Sequence, residues 1–449
     1  MTHRGAWNSR WSFILATTGS AIGLGNIWKL PYMIGVNGGS AFVLIYILSI
    51  ILVGLPLLMT EVMLGRRVQK NPMNAMQSLA KESNRSSAWK YVGGMGMLTG
   101  VLILCFYSVI GGWVLSYIST AIFEGFSNIT AEEASAHFVA LLASPLTLLL
   151  WHSIFMIVTM SVVSRGVSSG LEKANNFLIP ALFAILLILL GYSMSVGDMQ
   201  SAFDFMFTAD FSKITPLTAL VAMGHAFFSL SIGMGSVMVY GSYLKREVSI
   251  SRTSVYIAAA DTLLGLLVGL AIYALVFVNH LEPDAGPGLI FQTLPMAFGQ
   301  MPLGNLFGSL FFILVAFAAS TSAISLVEPT IAWIVENTSF NRNKASLGLG
   351  LLIWSVGIVV LLSFNIWQDV TIFFGFGIFD TLDKLTSTIM LPLGGFLMAI
   401  FAGYLMKKHH SKEELDLDNR GYRLWQYANN IIAPVAICAV FLYLFNTTS

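Results

Sequence analysis

Ser20-Ala21-Ile22-Gly23-Leu24-Gly25-Asn26 lies inside an otherwise apolar segment that runs from Trp11 to Gly35. Two glycines, a serine and an asparagine within two turns make poor helix, each glycine costing about 1 kcal/mol of propensity. The helix is expected to open here. Opened backbone at membrane depth is tolerated only where protein buries it or where it lines a cavity. Carbonyls freed by the opening can hold a cation, and amides at the new helix start can hold an anion. The stretch reads as a binding site at mid-membrane.

The surrounding chain supports that setting. Hydrophobic residues make up 56% and charged residues only 10%, well below the roughly 25% charge of ordinary soluble domains. Apolar runs long enough to cross a bilayer are expected near residues 11–35, 40–65, 88–123, 146–163, 171–193, 217–243, 254–278, 303–335, 345–364, 378–406 and 426–445. With the N-terminus placed in the cytoplasm, alternating sides puts 20 of the 23 Lys and Arg inside, from Arg4 and Arg10 to the run between Lys407 and Arg423. The outer loops carry Glu132, Glu133, Asp198, Asp204, Glu282 and Asp284, with Lys213 the lone basic exception. Lys29 and Lys384 fall within spans. This is the positive-inside bias, and it favours an odd number of spans. No short signal-peptide core with a small-residue cleavage site is present, so the first span is expected to be retained. Cys105 and Cys438 both fall in spans, which implies no disulfide framework. The run from Lys407 to Arg423 reads most simply as a solvated connector.

A second stretch repeats the pattern of the first. Phe227-Phe228-Ser229-Leu230-Ser231-Ile232-Gly233-Met234-Gly235 places small polar residues and glycines in the middle of the sixth span. Either stretch alone reads equally as a close helix-packing face, because small residues let membrane helices approach. Together, five spans apart, they are what two inverted five-span halves would produce around a transporter's substrate site.

These residues carry a family resemblance. Gly23-Leu24-Gly25-Asn26 with Pro31, Asn37-Gly38-Gly39, Arg165-Gly166 followed by Gly170 and Pro180, Phe228-Ser229-Leu230-Ser231, and Ser320-Thr321-Ser322 resemble the neurotransmitter:sodium symporter family in order and spacing, from Arg4 to about residue 406. The chain is similar to the bacterial amino-acid transporters of that family with eleven spans. The resemblance implies an all-α membrane protein of the leucine-transporter-like fold, a single transporter domain over 1–449. Its first five-helix repeat would be 11–193, its inverted second repeat 217–406, and 426–445 an additional helix, with helices one and six unwound.

The resemblance also implies sites. One sodium ion is expected on the Ala21 carbonyl, the Asn26 side chain, Ser229 and the substrate carboxylate. A second is expected on the carbonyls of Gly19, Ile22 and Ala318 and the hydroxyls of Thr321 and Ser322. Without the resemblance, those two hydroxyls read as bonded back to their own helix. The substrate carboxylate would meet the amides of Leu24 and Gly25 and the hydroxyl of Tyr107, and its amine the carbonyls of Ala21, Phe228 and Ser229, with Ser231 nearby. Ile103, Tyr107, Phe228, Met234, Ser322 and Leu326 would form the apolar pocket. Relatives that carry monoamines place an aspartate at Gly23, so its absence favours an intact amino acid. Met234 stands where leucine-transporting relatives have phenylalanine, which suits a pliable pocket for large aliphatic or aromatic side chains.

Asp261 departs from those relatives, which have asparagine there. An intramembrane aspartate is functional by default, and this one would ligate the first sodium and supply the negative charge that animal relatives take from chloride. A protonated, hydrogen-bonded structural aspartate is the other reading. His225 reads as a packing histidine. Lys29 and Asp383 are expected as an outer gate, weaker than an arginine pair because lysine lacks the bidentate fork, with Lys384 a competitor for Asp383. Arg4 and Glu336 are expected as the inner gate, with Tyr243 and Glu172 as accessories. Glu61 would tie the two opened segments through their free amides, and Glu328 lies below the pocket. Gly170 and Pro180 frame a stretch of the fifth span that can unwind or simply kink.

The expected function is sodium-coupled import of amino acids, hydrophobic or aromatic, with two sodium sites and no chloride requirement. The expected setting is a multi-pass protein of a prokaryotic inner membrane, N-terminus cytoplasmic and C-terminus outside. Its partners would be the amino acid and the bilayer, not nucleic acid. A proton-coupled carrier using Asp261 or Glu328 and a non-transporting sensor are the alternatives. No nucleophile–base pair or metal-ligand cluster suggests an enzyme.

Overall fold

A computed structural model describes residues 7–208, 210–281, 288–373 and 375–448. Arg4, Glu282 and Asp284 lie outside the described residues. Inner and outer denote the ends assigned by the charge bias.

The chain is a bundle of helices. In order they are α1 (Arg10–Ala21) and α2 (Leu30–Val36), then α3 (Ser40–Val68), α4 (Pro72–Glu82), α5 (Ser87–Phe123) and α6 (Ala131–Leu142). There follow α7 (Pro145–Ser164), α8 (Val167–Val196), α9 (Met199–Phe207), α10 (Pro216–Ser229), α11 (Ser236–Ser242) and α12 (Ile250–Val278). The last are α13 (Leu289–Gly299), α14 (Gly304–Asn337), α15 (Arg342–Leu362), α16 (Ile378–Leu405), α17 (Lys408–Leu415) and α18 (Asn419–Tyr443). Among the described residues, nine helices are long and apolar enough to cross a membrane: α3, α5, α7, α8, α12, α14, α15, α16 and α18. The first and sixth expected spans are absent from that set because each is broken into two short helices.

Burial separates centre from rim. The most apolar windows of α5 and α14 are 83% and 78% buried, whereas those of α7 and α8 are 33% buried. The first pair therefore forms the middle of the bundle, and α1 packs on α14 and on α8, α11 and α12. Gly65 and Gly241 let α3 and α11 touch backbone to backbone, since a Cβ on Gly65 would collide with the Met238 carbonyl.

Two features depart from expectation. A two-strand hairpin pairs β1 (Thr371–Phe373) with β2 (Phe376–Gly377) in an outer loop, a minor exception to an all-α chain. The run from Lys407 to Arg423 is not a solvated connector. It folds into α17 and the start of α18, and it docks on the inner ends of α3 and α4. Arg66 pairs with Glu414 at 2.9 Å with both side chains 5% exposed, and Arg67 pairs with Glu82, Glu413 and Glu414. A sequence of charges looks the same whether water or opposite charges solvate it.

Candidate functional site

The site is built by the two interruptions. α1 ends where the Ile22 amide makes its last helical bond, to Thr18 at 2.7 Å. Ile22 then turns extended, and the chain resumes through a wide π-type turn at Gly25–Lys29 before Pro31 opens α2. α10 starts under a Thr215 cap on the Thr218 amide and ends at Ser229. Ser231, Gly233 and Gly235 then take positive φ, and Ser236 starts α11. At Gly233 (φ 90°) glycine is required twice over, because a Cβ would also strike the Leu391 carbonyl.

Side chains stitch the breaks to each other and to α14. Ser231 donates to the Ser20 carbonyl at 2.8 Å, Ser20 bonds Ser325 at 2.8 Å, and Ser236 donates to the Ser325 carbonyl at 2.9 Å. Glu61, buried in α3, accepts the Gly233 amide at 2.5 Å. Its expected bond to the first opened segment is not made among the described residues.

Two clusters of hard oxygen atoms result. In the first, Asn26 donates to Asp261 Oδ1 at 2.7 Å, and the Ser229 hydroxyl donates to Asp261 Oδ2 at 2.5 Å. Asn26 Oδ1 is left buried with no donor. Asp261 is itself fully buried with no cationic side chain in ion-pair distance among the described residues. A buried carboxyl group is neutralised either by a proton or by a paired cation, and the oxygens gathered here are of the kind a hard cation takes. In the second, the single hydroxyl proton of Ser322 faces three carbonyls, those of Gly19, Ser20 and Ile22, at 3.2–3.3 Å. The Thr321 hydroxyl lies 3.0 Å from the Ala318 carbonyl. One proton cannot satisfy three acceptors, and converging carbonyls and hydroxyls are what a hard cation takes as ligands. The back-bonded reading holds for Thr321 but not for Ser322, whose partners lie on the other helix.

Beside these clusters is a cavity of about 20 Å³ lined by Ser20, Ala21, Gly23, Gly25, Ile103, Tyr107, Phe228, Ser231, Met234, Ser322 and Leu326. It gathers the expected pocket residues. Leu24 and Ser229 do not line it, though the Leu24 amide donates to the Tyr107 hydroxyl at 3.1 Å. The volume is that of a water molecule, so the lining must move to admit anything larger.

The ends differ. On the outer side Lys29 and Asp383 stand 3.6 Å apart, about a quarter exposed. Lys29 Nζ also lies 5.0 Å from the centre of the Phe228 ring, which places Phe228 between cavity and ion pair. Lys384 does not compete for Asp383. Its ammonium sits over the Phe376 ring at 3.1 Å, a cation–π contact supplied by the hairpin. On the inner side Glu336 accepts the side chain and amide of Asn71 at 2.6 and 3.2 Å. Tyr243 donates to Glu328 at 2.8 Å, and Arg342 grips Glu328 with both terminal nitrogens. Glu172 accepts from Ser12 at 2.6 Å and Asn8 at 3.0 Å, holding the chain that precedes α1. Gly170 lies in a π-type turn at the start of α8, and Pro180 lies within that helix.

Sequence reasoning missed several participants. Trp7 is buried at the inner end, donating to the Tyr240 carbonyl at 3.0 Å with its ring edge-on to Tyr240 and Tyr243. Tyr46 bonds the Ser229 hydroxyl at 3.0 Å. Asn175 leaves Oδ1 buried without a partner against Gly19. A polar residue inside an apolar span was the available signal for Tyr46 and Asn175. His225 packs on Tyr46 with ring centres 5.5 Å apart, but both of its ring nitrogens are buried without a hydrogen-bond partner, so it is not the satisfied packing histidine that the sequence leads one to expect.

The model of the sodium:neurotransmitter symporter family matches residues 4–131 and 125–449. The chain is similar to an uncharacterized sodium-dependent transporter, YhdH, of Bacillus subtilis, 38% identical over 99% of this chain and 98% of that one. A second uncharacterized sodium-dependent transporter, of Haemophilus influenzae, is 32% identical over 98% of each chain. Among solved structures, that of MhsT in complex with L-phenylalanine superposes with a TM-score of 0.91 at 39% identity, covering 98% of this chain and 99% of that one. These relatives are transporters, not enzymes.

Proposed function

The chain belongs to the sodium:neurotransmitter symporter family, and from that premise we propose that it imports amino acids by sodium-coupled alternating access. On this reading the nine continuous helices among the described residues and the two broken ones make eleven spans, with inverted repeats at 11–193 and 217–406 and the N-terminus in the cytoplasm of a prokaryotic cell. The observation that carries the reading is the pair of oxygen clusters flanking one small cavity between two helix breaks.

The first sodium binds Ala21, Asn26, Ser229 and Asp261 together with the substrate carboxylate. The second binds Gly19, Ile22, Ala318, Thr321 and Ser322. The carboxylate rests on the Leu24 and Gly25 amides and Tyr107, the amine on carbonyls of Ala21, Phe228 and Ser229. Apolar walls of Ile103, Met234 and Leu326 select a hydrophobic or aromatic side chain, which the phenylalanine complex of MhsT supports. The buried Asp261 charge makes chloride unnecessary. Each net positive charge moved inward draws about 2.3 kcal/mol from a 100 mV potential.

Uptake of a panel of radiolabelled amino acids into liposomes holding the purified protein tests this. Accumulation with sodium outside, absent with potassium and unchanged when gluconate replaces chloride, is expected. Equal uptake in potassium would refute the sodium coupling.

A further inference from the structure

Away from both helix breaks, a groove of about 350 Å³ opens on the side of the bundle between α7 and α15. Met156 and Met160 of α7 face Ser346, Gly350 and Trp354 of α15 across it. Gly350 lets the helices close at its floor, where a Cβ would stand 3.0 Å from Met160. Trp354 is pinned at one end, its indole N–H donating to the Ser153 hydroxyl at 2.9 Å and its carbonyl 3.3 Å from His152 Nε2. Ile157, Leu347 and Leu351 around it are exposed, as side chains facing lipid are.

The other end is basic. Arg165 follows α7 directly, and Lys344 lies one turn before Leu347 on the same stripe of α15. Both are exposed, and neither has a carboxylate in ion-pair distance among the described residues. Their neighbour Arg342 is different, since Glu328 occupies it. Between the two ends, the Ser346 hydroxyl is buried with no hydrogen-bond partner. From Lys344 to Trp354 the helix rises about 15 Å, roughly half the 30 Å hydrocarbon thickness. The groove therefore spans one leaflet.

We propose that the groove binds an anionic phospholipid, with an acyl chain between α7 and α15 and the phosphate at Arg165 and Lys344. Lipid tails are as apolar as the groove, so packing alone does not choose among lipids. Selection comes from the headgroup, which meets two unpaired cations, while Ser346 offers its hydroxyl to the ester carbonyl beneath. The inference rests on membrane embedding and not on which substrate is carried.

The test uses the full chain in phosphatidylcholine vesicles containing increasing brominated phosphatidylglycerol or brominated phosphatidylcholine. The emission of Trp354, obtained as wild type minus Trp354→Phe, is followed as bromine quenches it. Half-quenching is expected at a mole fraction on the order of thirtyfold lower for phosphatidylglycerol, the combined effect of two basic residues at the surface. The preference should vanish in Arg165→Gln/Lys344→Gln, whose positions are exposed and bear no buried contact. Gly350→Leu should abolish the quenching by filling the floor. Equal quenching by the two lipids in wild type, or a preference that survives the double variant, would overturn the proposal. So would quenching of Trp354 by neither lipid.

Discussion

Asn26 gives its side-chain NH2 to Asp261, Nδ2 to Oδ1 at 2.7 Å, and this bond turns the Asn26 carbonyl oxygen into a buried acceptor with no donor. The aspartate thus acts on the first oxygen cluster twice, by its own charge and by orienting its neighbour.

Asp261→Asn keeps the shape and removes the charge. The sodium concentration for half-maximal uptake should rise at least tenfold, about 1.4 kcal/mol. The variant should also become sensitive to the replacement of chloride by gluconate, which the wild type is not. Sodium titrations of uptake in both anions measure this.

Ser322 faces the Gly19 and Ile22 carbonyls, and Thr321 the Ala318 carbonyl. Ser322→Ala and Thr321→Ala each remove one ligand of the second cluster. Sodium-dependent binding of labelled amino acid in detergent should need roughly tenfold more sodium in each, about 1.4 kcal/mol. The double variant should lose the contribution of the second ion while keeping its dependence on the first, so the sodium dependence of binding becomes less steep.

The Lys29–Asp383 pair is partly exposed and 3.6 Å long, and such pairs contribute about 0–1 kcal/mol. Lys29→Ala should change uptake by less than about fivefold on that scale. Phe228→Ala removes the ring between pair and cavity and should cost far more, raising the half-saturating amino-acid concentration. Uptake kinetics of the two variants side by side decide this.

The inner network is a stability element. Glu414→Ala strands Arg66 in a site where both partners are 5% exposed, and breaking such a buried pair costs about 3–5 kcal/mol. A lower thermal transition in detergent is expected, with α17 becoming open to proteolysis. Glu82 is exposed more and acts through pH: its hydrogen bond to Arg67 holds its pKa below the usual carboxylate value. Its contribution is complete above the unfolded carboxylate pKa of about 4.3 and is lost as pH falls through the lowered folded value. Glu82→Gln should flatten the acid limb of the stability profile.

What was legible in the sequence was the backbone conflict. Gly23, Gly25, Gly233 and Gly235 cannot sustain helix in an apolar run, so both breaks could be placed, and a family pattern supplied the ligands around them. Charges were less legible. Arg66 and Glu414 are separated by hundreds of residues, and only the fold of α17 onto α3 makes them a buried pair. Lys384 reads as a competitor for Asp383 because the hairpin that offers Phe376 has no strong local signal. Trp7 carried no signal of its own, since nothing local to it announces that Tyr240 and Tyr243 will close around it.

The central claim is that one cavity couples amino acid to sodium. The most direct measurement is entry of radioactive sodium into liposomes holding the protein, with and without the transported amino acid outside. The account predicts that the amino acid accelerates sodium entry, and that the acceleration disappears in the Thr321→Ala/Ser322→Ala variant. Sodium entry that is indifferent to the amino acid would contradict it.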